Sequence, residues 1–218
     1  GVETIWALPA GADKSKVIIY THGGGVAVGS ADSHRKMAGH LAKALGVTSA
    51  ILHYRRAPEH PYPAQIEDAV SAYKALLAKG YEAKNILTAG DSAGGNLAVS
   101  SVLKFRDLGL PLPGAVIVYS PWLDMALRGE TLKTNAGTDA LVSRGILEGM
   151  AGMIYITCGS AETLQNDSER LFSKVTAAGV KAELSVVPGM QHVFPSLSGR
   201  APEADAELAK IAAWFKAL

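Results

Sequence analysis

Asn85-Ile86-Leu87-Thr88-Ala89-Gly90-Asp91-Ser92-Ala93-Gly94-Gly95-Asn96 is a β-rich run that must turn at once into a helix. Residues 85–89 predict a strand, and residues 94–105 carry a helical pattern. Between them lies Gly90-Asp91-Ser92-Ala93-Gly94, a G-x-S-x-G sequence in the strand-to-helix setting that gives the pattern meaning. So sharp a reversal holds the serine in a strained conformation, and flanking glycines remove clashes that side chains would create. The hydroxyl then projects from the sheet edge, where the N-terminus of the following helix favours developing negative charge. The plain alternative is an ordinary strand-to-helix turn with two glycines, and the flanking elements argue against it.

The same alternation continues outward in both directions. Upstream, residues 16–20 and 48–54 predict strands, and residues 33–45 and 64–78 predict helices. Ser33 is the expected N-cap of the first helix, Gly46 its stop, and Gly80 closes the second. Downstream, residues 115–119, 153–157 and 183–187 predict strands, with helices at 168–178 and 203–217. Residues 125–152 show no clear strand and read as a cap-like excursion. Residues 1–218 thus predict a single α/β domain, a largely parallel sheet with helices on both faces and right-handed crossovers. In such sheets the chemistry collects beyond the carboxyl ends of the strands.

Three further signals fall at those positions. His22-Gly23-Gly24-Gly25 follows the 16–20 strand. Backbone without side chains can approach a substrate and present its N–H groups, as acyl transfer requires for an oxyanion. Gly24 and Gly25, with the N–H of Ala93, supply three donors. A phosphate loop would instead show Gly-Lys-Ser/Thr or a G-x-G-x-x-G frame, and neither is present. His192 lies in the loop after the last predicted strand. A serine hydroxyl needs an adjacent base, and imidazole titrates near working pH. Of the other histidines, His22 is expected to brace the glycine loop. His34 and His40 fall on a helix, His53 in a strand and His60 in a Pro-rich segment, where packing or surface roles suffice. His192 is preferred because this serine turn is accompanied by the chain order nucleophile, acid, base. The acid belongs between them, after a strand, and Glu162 fits. Asp167 and Glu169 compete, but they read better as the N-cap and first-turn charge of the next helix.

Composition narrows the remaining classes. The 218 residues are 48% hydrophobic and 19% charged, which suits one domain with a sizeable core. A net charge of +1 without blocks of like charge gives no electrostatic case for nucleic acid. No apolar run reaches the roughly 18 residues of a membrane span, and no basic–apolar–small leader pattern opens the chain. Cys158 is the single cysteine, compatible with a reducing cytoplasm; at a strand end it reads as buried and inert. No His, Cys or Asp cluster has metal-ligand spacing, so neither metal nor cofactor is expected.

These blocks together resemble the bacterial hormone-sensitive lipase-like (family IV) carboxylesterases of the α/β-hydrolase fold. The likeness rests on His22-Gly23-Gly24-Gly25, on Tyr54-Arg55-Arg56-Ala57-Pro58-Glu59-His60-Pro61-Tyr62-Pro63-Ala64, and on Gly90-Asp91-Ser92-Ala93-Gly94-Gly95-Asn96. Ser120-Pro121-Trp122 and the loop at 189–194 also match, so it covers nearly the whole chain. It implies Ser92 as nucleophile, His192 as base, and Gly24, Gly25 and Ala93 as the oxyanion hole. The acid maps to Glu162, where many relatives carry Asp. The expected substrate is a small ester of short to medium acyl chain, with a possible homodimer as the assembled form. Arg56 departs from the pattern, replacing an apolar residue. Relatives usually begin with a helical cap, whereas this sequence starts in what reads as the first strand. They also carry a longer stretch before the acid strand than Gly149-Met150-Ala151-Gly152 allows, by roughly twenty or more residues at the few ångströms each residue spans. Two rivals follow from the fold: a non-catalytic hydrolase-fold receptor, and a hydrolase of amides, lactones or carbamates using the same triad.

Overall fold

The computed structural model describes residues 1–123, 153–177 and 181–217. The excursion expected at 125–152 lies outside the described residues, as does the junction at 149–152. The described elements are β1 Thr4–Ala7, β2 Asp13–Thr21, α1 Ala31–Leu45, β3 Val47–Leu52, α2 Ala64–Ala78, β4 Ile86–Asp91, α3 Ala93–Asp107, β5 Ala115–Tyr119, β6 Met153–Gly159, α4 Gln165–Ala177, β7 Ala182–Val187 and α5 Pro202–Lys216. Short 3-10 turns occupy Ala83–Asn85 and Phe194–Leu197.

All seven strands join one sheet in the order β1-β3-β2-β4-β5-β6-β7. β1 runs antiparallel to β3, and every other pairing is parallel. Such a sheet must be covered on both faces, and β2 shows how. Its successive side chains point opposite ways. Val17 and Ile19 enter a core with Tyr73 of α2 and Leu97, Val102 and Phe105 of α3. Ile18 and Tyr20 enter another with Leu41 of α1 and Ile211 and Trp214 of α5. From β2 the chain crosses to β3 on one side and returns to β4 on the other, so a topological switch lies between β2 and β4. A crevice opens there beyond the strand ends. Register places Thr21 opposite Gly90 and Asp91 opposite Tyr119, so the glycine loop, the serine turn and the end of β5 start side by side.

Several boundaries shift from expectation, each for a local reason. β4 runs on to Asp91 because β5 pairs with it to the last residue. Ser33 is not the N-cap of α1. Ser30 is, in extended backbone, with its Oγ accepting the Ser33 N–H at 3.1 Å. Ser33 reciprocates by accepting the Ser30 N–H at 3.0 Å, a capping box that starts the helix earlier. Asp167 is likewise not a cap. It lies within the first turn of α4, buried, and accepts the Leu123 N–H at 3.3 Å, tying α4 to the loop after β5.

Candidate active site

Ser92 stands between β4 and α3 at φ 51°, ψ −121°, a conformation side-chain-bearing residues rarely adopt. Three backbone bonds hold it there: its N–H donates to the Tyr119 carbonyl at 2.9 Å, and its carbonyl accepts from Trp122 at 2.9 Å and Asn96 at 3.2 Å. Gly94 explains the motif better than turn flexibility does. A Cβ there would run into the backbone of Thr21 and His22, so only glycine lets α3 start against the end of β2.

The loop after β2 is tied at several points. The Tyr54 hydroxyl donates to the His22 carbonyl at 2.6 Å, and the Tyr54 and His22 rings stack with centroids 4.2 Å apart. The Ala57 N–H donates to the Val26 carbonyl at 2.9 Å, and the Arg56 guanidinium donates to the Gly29 carbonyl. The segment after β3 is therefore a clamp on the glycine loop, and Arg56, unexplained in sequence, is part of it. Arg55 anchors that clamp through Asp68 at 2.8 Å and Glu67 at 3.0 Å. His22 braces the backbone as expected, its Nδ1 2.8 Å from the Gly23 carbonyl. Burial pushes its pKa down to about 4, so the ring is neutral at ordinary pH. Among the described residues, no acceptor is bonded to the amides of Gly24 and Gly25.

His192 and Glu162 come together on the far side of Ser92. The His192 Nδ1 is 3.4 Å from Glu162 Oε1, with the carboxylate fully buried and the imidazole 40% exposed. Glu162 Oε2 accepts the Ser120 hydroxyl at 2.7 Å and the Gly159 N–H at 2.8 Å. Ser120 also accepts the Val193 N–H at 3.4 Å, linking the β5 end, the carboxylate and the histidine loop. Glu169, the competing carboxylate, is bonded to Gln165 at 2.7 Å and Asn166 at 3.4 Å.

Sequence reasoning missed Asp91, His34 and Ser120. Asp91 is buried, with Oδ1 accepting from the Tyr20 hydroxyl at 2.9 Å and the Gly23 N–H at 3.1 Å. Its Oδ2 faces His34 Nε2 at 3.3 Å. Burial lowers the His34 pKa, but bonding and attraction to the Asp91 carboxylate outweigh it, and the net shift is upward. Spacing in the sequence carries no signal for these contacts, which join residues 57 to 71 positions apart. One backbone feature does mark the site. Every non-glycine residue with positive φ among the described residues lies in it: Val26 in the glycine loop, Ser92, Ser120, and Val193 beside His192.

Two cavities meet at the serine turn. One, of about 620 Å³, is lined by Gly24, Gly25, His34, Ser92 and His192. The other, of about 560 Å³, opens at Ala93 and runs between α2 and α3 past Ile66, Leu97 and Leu103, with a largely apolar wall. No hydrogen bond joins Ser92 to His192 among the described residues; they share the wall of the first cavity, and such contacts commonly tighten only when substrate binds. Cys158 is buried, and burial pushes its thiol up to about 12, which leaves it protonated and unreactive. Among the described residues, no helix is long and apolar enough to cross a membrane.

Fold and site define a hydrolase of the strand–serine–helix type, and comparison with known proteins agrees. Residues 18–155 match the family model described as alpha/beta hydrolase fold. An acetyl-hydrolase of Streptomyces hygroscopicus is 37% identical over 87% of this chain and 71% of its own length. An esterase of Acinetobacter venetianus is 32% identical over 97% of this chain and 78% of its own. Among solved structures, a hormone-sensitive lipase from a metagenome library superposes with a TM-score of 0.90 at 35% identity, covering 100% of this chain and 82% of that one. An esterase from the bacterial hormone-sensitive lipase family gives 0.87 at 34%, covering 100% and 84%.

The chain belongs to the α/β-hydrolase fold family, among the bacterial hormone-sensitive lipase-like esterases. It is a serine ester hydrolase, a carboxylesterase acting on small esters.

Proposed function

We propose that this carboxylesterase works through an acyl-enzyme on Ser92, with His192 as base and Glu162 as the acid that orients it. The single observation that carries this reading is one cavity walled by Ser92, His192 and the glycine loop, with Glu162 bonded behind the imidazole. With Nδ1–H donated to Glu162, Nε2 is free to take the Ser92 proton. The serine oxygen attacks the ester carbonyl, and its electron pair passes to the carbonyl oxygen. The amides of Gly24, Gly25 and Ala93 stabilise that oxyanion, and the α3 N-terminus adds to the field. When the tetrahedral centre collapses, the alcohol leaves with the proton from His192. Water, deprotonated by the same imidazole, then releases the acid. The apolar groove that opens at Ala93 suits the acyl chain and supports a range from short to medium length.

Release of p-nitrophenol from C2 to C12 acyl esters tests the assignment. Ser92→Ala should abolish turnover, and retained activity in that variant overturns it. An inert hydrolase-fold receptor is disfavoured, since the relatives are esterases. A cytoplasmic location is proposed on the lone cysteine, which has no intramolecular disulfide partner. A homodimer is proposed on family resemblance, and strand β7, paired among the described residues only with β6, offers a backbone edge for it.

A further inference from the structure

Two buried carboxylates flank Ser92, and they are wired alike. Glu162 takes a hydroxyl, Ser120, and a backbone N–H, Gly159, on one oxygen, and faces the His192 imidazole with the other. Asp91 takes a hydroxyl, Tyr20, and a backbone N–H, Gly23, on one oxygen, and faces the His34 imidazole with the other. Both imidazoles line the cavity that holds Ser92. The remaining nitrogen of His34 is also fixed: Nδ1 lies 2.8 Å from Ser33 Oγ and 3.3 Å from the Ser30 carbonyl, both in the capping box of α1. Because the Asp91 carboxylate can only accept, Nε2 carries the hydrogen that faces it.

We propose that His34 is a positioning residue for the oxyanion-binding amides: it holds Asp91, Asp91 holds the Gly23 amide, and Gly23 sets the two glycines that follow. The inference rests on the reading of Gly24 and Gly25 as oxyanion donors. Its physical basis is the cost of leaving a buried carboxylate oxygen without a partner. Without the imidazole, Oδ2 loses that partner. Rotating the Asp91 carboxylate toward another donor relieves the loss and releases Gly23. The other ties on this loop reach His22, Val26, Gly29 and the carbonyls of Gly23 and Gly24, and none holds the Gly23 amide. Glycines have no side chains to restore their own placement. The oxyanion forms only in the transition state, so displaced donors lower kcat and leave KM unchanged.

The test compares His34→Leu with His34→Gln, whose side-chain amide reaches about as far as Nε2. kcat and KM are measured on p-nitrophenyl butyrate, together with the affinity for a trifluoromethyl ketone that forms a tetrahedral adduct. His34→Leu should lower kcat about 10- to 100-fold, less than or up to the loss of one whole oxyanion donor, with KM essentially unchanged. Ketone affinity should fall in proportion, and His34→Gln should restore most of both. A wild-type kcat in His34→Leu overturns the proposal. So does a raised KM at unchanged kcat, which would mean a substrate contact, or a Gln variant as poor as Leu. If His34→Leu fails to fold, His34→Asn, whose amide stops short of Asp91, takes its place. A silent His34 series in an enzyme that Ser92→Ala inactivates refutes the role of His34 alone. An active Ser92→Ala refutes the reading beneath it.

Discussion

Replacing Glu162 by Gln swaps one carboxylate oxygen for an NH2 group at constant volume, and the structure dictates where that group must go. Oε2 accepts two donors, the Ser120 hydroxyl at 2.7 Å and the Gly159 N–H at 2.8 Å. An NH2 facing them would set donor against a backbone donor that cannot reorient. The amide oxygen therefore keeps that side, and the NH2 takes the place of Oε1, 3.4 Å from His192 Nδ1. It can only donate there, so Nδ1 becomes the acceptor and the imidazole proton moves to Nε2. That is the wrong tautomer for taking a proton from Ser92. Where the same exchange has this effect in a serine triad, kcat falls about 10⁴-fold, equal to ~5.5 kcal/mol of activation free energy. The assay is steady-state hydrolysis of p-nitrophenyl butyrate, with unfolding in urea to show that the fold persists. A Glu162→Gln rate within about tenfold of wild type, far short of that loss, would refute the tautomer argument.

Two other outcomes follow from the described geometry. Ile66 is half-buried on the wall of the groove that opens at Ala93, so Ile66→Trp should fill it. Hydrolysis of C8 esters should then fall about tenfold against C2; an unchanged C8-to-C2 ratio removes the groove from the acyl pathway. The second concerns His22, held neutral by burial with a folded pKa of about 4. The unfolded chain binds this proton near pH 6.5, so between those values it holds more protons than the native state. Stability should rise with pH through this window and be lost on acidification, by ~3 kcal/mol across it. Urea unfolding from pH 4 to 7 should show a steeper dependence in wild type than in His22→Gln. Equal slopes count against a buried neutral ring.

The α/β layout was legible because its signals are local. Apolar runs such as 115–119 and 16–20 state their own burial, and Gly46 and Gly80 stop helices by backbone geometry at φ 67° and 93°. The meeting of Ser92, His192 and Glu162 at one crevice was expected for a related reason: each follows a strand, and chain order links them. What failed turned on backbone conformation or on partners distant in the chain. Ser33 scored as a cap from composition, yet Ser30 holds the extended backbone that a cap requires. Asp167 has cap chemistry, but it accepts the N–H of Leu123, in the loop after β5. Asp91 was only the variable position of a five-residue motif, although it gathers three elements at once.

The same distinction explains where the strain lies. Val26, Ser92, Ser120 and Val193 all hold left-handed backbone, and none is the glycine that such φ values favour. Each follows a strand whose register is set by pairing in the sheet. The parallel sheet can hold these residues in place because its core is built on both faces, and helices α1 and α3 begin at the crevice itself. A turn of this kind is stable only if its carbonyls and amides find partners. Here backbone serves Val26, Ser92 and Ser120, the Ser120 hydroxyl serves Val193, and the two buried carboxylates hold the neighbouring Gly23 and Gly159 amides. The acids of the site therefore hold backbone as well as imidazole. Removing either one should cost placement of the loop it binds before it costs the fold.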